Sequence, residues 1–354
     1  MTLEELRQQI DRVDEDIVSL VNERARIVQQ IGEWKARSDD SIYKPHRERE
    51  VYRHALEANE GPLCDRSVEA VFREIISGCI VLEKGLKIAY LGPSGTFTHA
   101  AARSQFGESV AYEPAPTLAG VFEEVERGRA DYGVVPVENS SEGGIRETLA
   151  RFIESPLKVS AEIVYEIHHS LLANCALEQI NTVYSKGTVF RQTRRWLREH
   201  LPGVECREAS STGHAAELAA SEEGAAAIGH ARLAAAYGLD LLVGNIEDTS
   251  NNTTRFFVLG DHMSEPTGDD KTAILCSVKD KVGALHDLLA PFQTHGINMT
   301  KIESFPVPGA TWQYYFFIDF LGHPDEAETQ HALDTMSKEC EEFRILGAFP
   351  RQNG

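Results

Sequence analysis

The sequence predicts a multidomain chain: an all-α three-helix domain, a two-lobed α/β domain and a small α+β module, in that order. Three observations predict it. Apolar residues recur at alternating steps of three and four along 6–34, the seam of one long helix. From residue 88 short apolar runs alternate with helical stretches, the pattern of an α/β fold. Beyond a polar stretch with Pro and Gly at 263–270, a strand–helix–strand–strand–helix–strand order begins. The expected domains are 1–86, 87–262 and 271–350, since 354 residues exceed one ordinary core.

Composition narrows the function classes. A hydrophobic share of 42% with 25% charged residues is that of a globular protein. The formal net charge of -20 argues against nucleic acid or an anionic membrane as partner, because both need basic patches. Cys64, Cys79, Cys175, Cys206, Cys276 and Cys340 are widely spaced with no C-x-x-C pair, so neither a zinc site nor a disulfide framework is signalled. With no basic-apolar leader after Met1 and no apolar run of membrane-spanning length, a reducing cytoplasm is the expected compartment.

On the first helix the seam runs through Leu6, Ile10, Val13, Ile17, Leu20, Ile27, Ile31 and Trp34. Arg24 interrupts it. An unpaired charge buried there is costly, so Arg24 is expected to meet an anion; setting register or snorkelling outward are the other readings. Lys35 lies eleven residues on, on the same side and about 16 Å away along the axis, so the two can bracket a small dianion. Arg7 is about 42 Å from Lys35 on the same helix and reaches that place only from an antiparallel partner chain. A break at Ser38-Asp39-Asp40-Ser41 precedes a second helix at 45–59 carrying Arg47 and Glu48, which Gly61-Pro62 ends. A third helix, 65–84, turns Val68, Val71, Phe72, Ile75 and Ile76 inward, with Cys79 and Glu83 continuing that side.

Arg7, Arg24, Lys35, Arg47, Glu48 and Glu83, in this order on three helices, resemble the all-helical chorismate mutases. That chemistry is a one-substrate rearrangement in which the enzyme supplies orientation and charge placement. The resemblance assigns Arg7 of the other subunit, Arg24 and Arg47 to the substrate carboxylates or their surroundings, and Glu48 to the substrate hydroxyl. Lys35 and Glu83 fall to the breaking ether oxygen, with Lys44 and Cys79 as further substrate contacts. Lys44 stands where some members carry an acidic residue, and Glu83 where many carry Gln. A carboxylate cannot donate, so Glu83 should act only when protonated, and mutase activity should fall as pH rises.

In the middle domain a buried strand, Ile88-Ala89-Tyr90-Leu91, leads into Gly92-Pro93-Ser94-Gly95-Thr96-Phe97-Thr98-His99, a turn whose N–H groups open a helix where anions bind. A second strand from Tyr132 to Val137 runs into Glu138-Asn139-Ser140-Ser141-Glu142-Gly143-Gly144. Another α/β set, with strands at 182–184, 204–207 and 225–228, forms the second lobe. The chain returns through an unbroken polar run, 247–255, ending in Thr254-Arg255-Phe256. This run is either a solvated loop before a strand or the polar lining of a substrate pocket beyond the strand ends. Together the Gly-Pro-x-Gly-Thr-Phe, Glu-Asn-Ser, Ser210-Ser211-Thr212 and Thr-Arg-Phe motifs resemble prephenate dehydratases.

That resemblance implies a periplasmic-binding-protein-like pair of lobes and no metal or organic cofactor. Thr254 would donate a hydrogen bond to the departing hydroxyl. Arg255 would shape or charge the site, with Thr98, Asn139, Ser140, Ser141 and Phe256 as contacts. Tyr184-Ser185-Lys186-Gly187 stands where many members have Tyr-Ser-His-Pro. His168, His169 and His214 belong to no motif of the family and are read as structural or surface residues.

The last module places strands at 272–278, 298–305, 312–320 and 343–346 and helices at 283–294 and 325–340, a ferredoxin-like order. Gly283-Ala284-Leu285-His286 and Glu303-Ser304-Phe305-Pro306 resemble the effector motifs of regulatory ACT domains, although many members have Arg at the place of Phe305. This implies that Gly283, Ala284, Leu285, Asn298, Glu303 and Ser304 bind phenylalanine between paired modules; a ligand-free dimerisation module is the other reading. Taken together, the resemblances imply an enzyme of phenylalanine biosynthesis that converts chorismate to prephenate and then to phenylpyruvate. It would be inhibited by phenylalanine and form a homodimer or higher homo-oligomer. A dehydratase preferring arogenate, and a non-catalytic two-lobed sensor, remain open at this point.

Overall fold

The computed structural model describes residues 1–35, 43–83, 85–279, 281–306 and 314–352. They form two compact units: Met1–Lys87 with Gln105–Ala111, and Ile88–Ser104 with Tyr112–Gly354.

The first unit is built on α1 (Leu3–Lys35), α2 (Pro45–Glu57) and α3 (Asp65–Glu83). A reciprocal cap starts α1: Glu5 N donates to Thr2 Oγ1 at 3.2 Å and Thr2 N to Glu5 Oε2 at 2.7 Å. Pro45 opens α2, where a missing N–H leaves no bond unmade. Both helices pack on α3. Gly32 allows the approach of α1, because a Cβ there would lie 3.2 Å from Glu83 Cγ. The rest of the predicted seam is uncovered: Ile10 is 60% exposed and Val13 55%, and no residue of α1 is buried. The expected break at 38–41 lies outside the described residues.

In the second unit the first lobe contains β1 (Lys87–Leu91), α4 (Phe97–Phe106), β2 (Ala111–Ala115), α5 (Leu118–Glu126) and β3 (Tyr132–Asn139). It continues with β4 (Gly143–Gly144), α6 (Arg146–Glu154) and β5 (Lys158–Glu166). The last two residues of α4 belong to the first unit. The second lobe comprises β6 (Ser170–Ala173), β7 (Thr182–Ser185), α7 (Gly187–Gln192), α8 (Arg194–His200) and β8 (Glu205–Glu208). It ends with α9 (Thr212–Ser221), β9 (Ala225–Gly229), α10 (Leu233–Tyr237) and β10 (Asp240–Val243), in a sheet ordered β10-β6-β9-β7-β8. The chain then crosses back as β11 (Thr253–Gly260), which lies between β5 and β3 and is antiparallel to both. Phe122, Phe152, Phe257 and Phe349 are among the side chains that fill the core beneath that sheet.

The final module runs β12 (Asp270–Val278), α11 (Ala284–Thr294), β13 (Met299–Pro306), β14 (Tyr314–Leu321), α12 (Ala327–Glu339) and β15 (Cys340–Pro350). Its strand order β13-β14-β12-β15 is ferredoxin-like, and Trp312, expected at a strand start, lies outside the described residues. The sequence predicts a separate module; its sheet instead continues into the first lobe through a parallel step of β15 onto β5 at Gly347 and Val159. Only glycine fits at that step, since a Cβ at 347 would clash with the Val159 carbonyl.

Candidate functional sites

In the helical unit α1, α2 and α3 enclose a cavity of about 600 Å³, and its wall includes Arg24, Lys35, Lys44, Arg47, Glu48, Cys79 and Glu83. Every first-domain candidate except Arg7 is thus brought to one place. Arg7, near the start of the exposed helix, is not in the wall. Lys35 Nζ meets Glu83 Oε2 at 3.2 Å. Arg24 Nη1 points at Cys79 Sγ at 3.0 Å, which keeps the guanidinium directed inward. Arg47 Nη1 bonds Glu50 Oε2 at 2.6 Å on the exposed side of α2.

Glu48 is strongly perturbed in this wall. Burial pushes its carboxyl up to about 7, against hydrogen bonds from Tyr52, Gln105 and Tyr43 and the charge of Arg73, which pull it down. Tyr52 Oη donates to Glu48 Oε1 at 3.1 Å. Sequence reasoning missed Tyr43 and Glu23, which also line the cavity.

In the second unit Thr254 is buried at the start of β11, paired across the sheet with Asn139. Asn139 Nδ2 donates to Thr254 Oγ1 at 2.8 Å and to Asn252 Oδ1 at 2.9 Å. The amide orientation follows from Ser141, whose backbone N–H can only donate and does so to Asn139 Oδ1 at 2.9 Å. Thr254 oxygen therefore accepts from Asn139 and keeps its own proton for another acceptor. Asn252 Nδ2 donates to Gln192 Oε1 at 3.2 Å, and His169 Nε2 lies 2.7 Å from the same oxygen.

Burial lowers the His169 pKa, so the ring is neutral at neutral pH and Nε2 is the donor. Asn252 lay inside the polar run that the sequence singled out; Gln192 and His169 carried no local signal. A neighbouring polar cavity of about 600 Å³ is lined by Ser141, Arg191, Gln192, Glu247, Asp248 and Asn252, among others.

The remaining candidates divide. Phe256 is wholly buried on the Thr254 face of β11. Ser140 is a latch: its Oγ accepts from Thr253 N at 3.0 Å and donates to Asn251 O at 3.3 Å. Thr98 is buried in the first turn of α4 and does not join the Thr254 network among the described residues. Arg255 departs from expectation. Adjacent strand residues point to opposite faces, and its guanidinium turns away from Thr254 to Glu162 Oε2, 2.7 Å from Nε, and to Asp319 of β14. It lies over the Phe257 ring at 4.7 Å and ties β11 to the last module rather than charging the Thr254 cluster. His168 pairs with Glu247 at 2.8 Å and His214 with Ser210 at 3.0 Å.

In the last module a cavity of about 370 Å³ at the N-terminus of α11 is lined by Gly283, Ala284, Leu285, Lys281, Tyr314 and Phe316, among others. Gly283 holds φ at +81°, which favours glycine, and presents the first helical N–H groups. Asn298, Glu303 and Ser304 do not line that cavity. Glu303 pairs with Lys301 at 3.3 Å, and Phe305 packs against the core of the first lobe.

Three family models match the chain: chorismate mutase type II at residues 6–84, prephenate dehydratase at 88–264 and the ACT domain at 272–334. A bifunctional chorismate mutase/prephenate dehydratase of Aquifex aeolicus (strain VF5) is 44% identical over 354 residues, covering 99% of this chain and 98% of that one. The prephenate dehydratase from Arthrobacter aurescens, solved in complex with L-Phe, superposes with a TM-score of 0.70 at 33% identity, over 75% of this chain and 90% of its own. A chain described as GqqA, a novel type of quorum quenching acylase, gives a TM-score of 0.70 at 28% identity, over 75% of this chain and 98% of its own. With the helical cavity, the Thr254 cluster and the ferredoxin-like module in the order of the three models, and such identity along the whole length, the chain belongs to the bifunctional chorismate mutase/prephenate dehydratases.

Proposed function

We propose that the helical cavity rearranges chorismate to prephenate and that the Thr254 cluster converts prephenate to phenylpyruvate. The observation that carries the first half is the convergence of Arg24, Lys35, Arg47, Glu48 and Glu83 on one cavity. Arg24 and Arg47 hold the substrate carboxylates, Lys35 donates to the ether oxygen as its bond to carbon breaks, and Glu48 accepts from the hydroxyl. Glu83 offers a second donor only when protonated. The site is completed by Arg7 of a second copy, lying antiparallel along the uncovered seam of α1, so the working form is at least a homodimer.

For the second step Thr254 donates to the departing hydroxyl. The C–O bond breaks, the ring carboxylate leaves as carbon dioxide, and its electron pair completes the aromatic ring; the hydroxide takes up a proton to become water. Asn139, donating to Thr254 Oγ1, strengthens that donor. Phenylalanine inhibits by binding at the α11 N-terminus of paired ACT modules, where helix N–H groups meet its carboxylate. The compartment is the cytoplasm, in keeping with free cysteines at all six positions; no described helix is long and apolar enough to cross a membrane.

Arg24→Ala tests the first assignment. It should lower chorismate turnover by about 2–4 kcal/mol of barrier, roughly 30- to 1000-fold, while supplied prephenate is still converted. Full chorismate turnover in this variant would remove Arg24 from the site.

A further inference from the structure

Gln105 falls in the stretch matched by the dehydratase model, yet it belongs to the helical unit. Its carboxamide Nε2 carries two protons and donates there to Tyr43 Oη at 3.0 Å and Glu48 Oε2 at 3.2 Å. Tyr43 also hydrogen-bonds Glu48, which closes a triangle of three side chains on one carboxylate. With Tyr52 on Oε1, both oxygens of Glu48 are engaged by donors that fix its plane.

The loop that presents Gln105 is held in register. Glu108 N donates to Glu74 Oε2 at 3.0 Å, Ser109 N to Ser77 Oγ at 3.1 Å and Ala111 N to Leu86 O at 3.0 Å. The Phe106 ring sits 4.8 Å from that of Tyr43. Gly107, at φ +72°, lets the loop lie flat on α3, where a Cβ would come within 2.5 Å of Ser77 Cβ.

We infer that Gln105 is a positioning residue for the mutase reaction, holding the Glu48 carboxylate oriented and ionised to accept from the substrate hydroxyl. This rests on the assignment of Glu48 proposed above. An amide N–H pair donates to a carboxylate and stabilises its charged form, whereas a protonated Glu48 loses an acceptor and gains a donor. The need is real at this position, because burial already pushes the Glu48 carboxyl up to about 7. Other groups also face Glu48. On α2 and just before it are Arg47, Tyr52, Tyr43 and Lys44; α3 brings Arg73 and Glu83; α1 brings Glu23, Arg24 and Lys35 across the cavity. Substitution at 105 leaves all of them in place.

The test is the pH profile of mutase kcat/KM in the full chain, for the parent, Gln105→Met, Gln105→Lys and Glu48→Gln. Met keeps the length and removes the donors, so the acid limb should move up by about one pH unit and the rate at pH 6 should fall about tenfold. Lys puts a cationic donor in the same place and should move the limb down. Opposite shifts support the inference, and a merely structural role would not produce them. If Gln105→Met folds poorly, Gln105→Lys decides alone: a downward shift supports, an unmoved limb overturns. If Glu48→Gln slows the mutase but both Gln105 variants keep the parental profile, Gln105 is excluded and Glu48 stands. If Glu48→Gln leaves the mutase unaltered, the assignment of Glu48 falls and this inference falls with it.

Discussion

At the scale of single residues, the two sites solve different problems with one device, a side chain whose hydrogen bonds leave it a single free role. Asn139 is oriented by the Ser141 N–H and therefore presents donors to Thr254, which keeps its proton for another acceptor. Glu48 is buried among donors, and the cost of keeping it charged is visible in a carboxyl raised to about 7 from an ordinary 4.5. A raised carboxyl favours the folded state only while protonated. That contribution is complete below the ordinary value and is lost as pH rises through about 7. Glu48→Gln should therefore raise the stability of the helical unit at pH 8 by up to about 3 kcal/mol and change it little at pH 4. Urea melts at the two pH values check this, and equal effects at both would contradict it.

At the scale of elements, β11 and α1 organise the molecule. Because β11 is sandwiched between β3 and β5, one strand delivers Thr254 to one face and Arg255 to the other. The ion pairs of Arg255 with Glu162 and Asp319, supported by Lys271 at 3.1 Å from Glu162, bolt the last module onto the first lobe. Removing Asp319 leaves Arg255 with Glu162 but without one charge-assisted bond, so Asp319→Ala should cost about 1.5–3 kcal/mol in urea unfolding. A loss below about 1 kcal/mol would mean the pair is dispensable. Along α1 the seam predicts a partner helix: Ile10→Asp with Ile17→Asp should convert a dimer into a monomer by light scattering and abolish mutase activity. A parent that is monomeric and active would contradict this.

At the scale of the whole molecule, the helices and the ferredoxin-like order were legible because their apolar periodicity is local. Of the cavity in the helical unit, spacing alone pointed to Arg24, which interrupts a seam, and Lys35, three turns on; Arg47 and Glu48 were reached through the resemblance to the helical mutases. What escaped is what tertiary folding supplies. Gln105 is 57 residues from Glu48, and no local pattern links them. Gln192 and His169 reach Asn252 only because the two lobes are joined through β11 and the chain leading into it. The orientation of Arg255 was available from strand alternation, since two neighbours on a strand cannot share a face.

The merging of the last sheet with the first lobe rests on one glycine step at Gly347, a signal too small to read in sequence. Whether one chain carries two successive active sites is read by giving the purified protein chorismate and following prephenate and phenylpyruvate separately, with Thr254→Ala beside the parent. The parent should make phenylpyruvate and the variant should accumulate prephenate; phenylpyruvate formed equally fast by Thr254→Ala removes Thr254 from the second site.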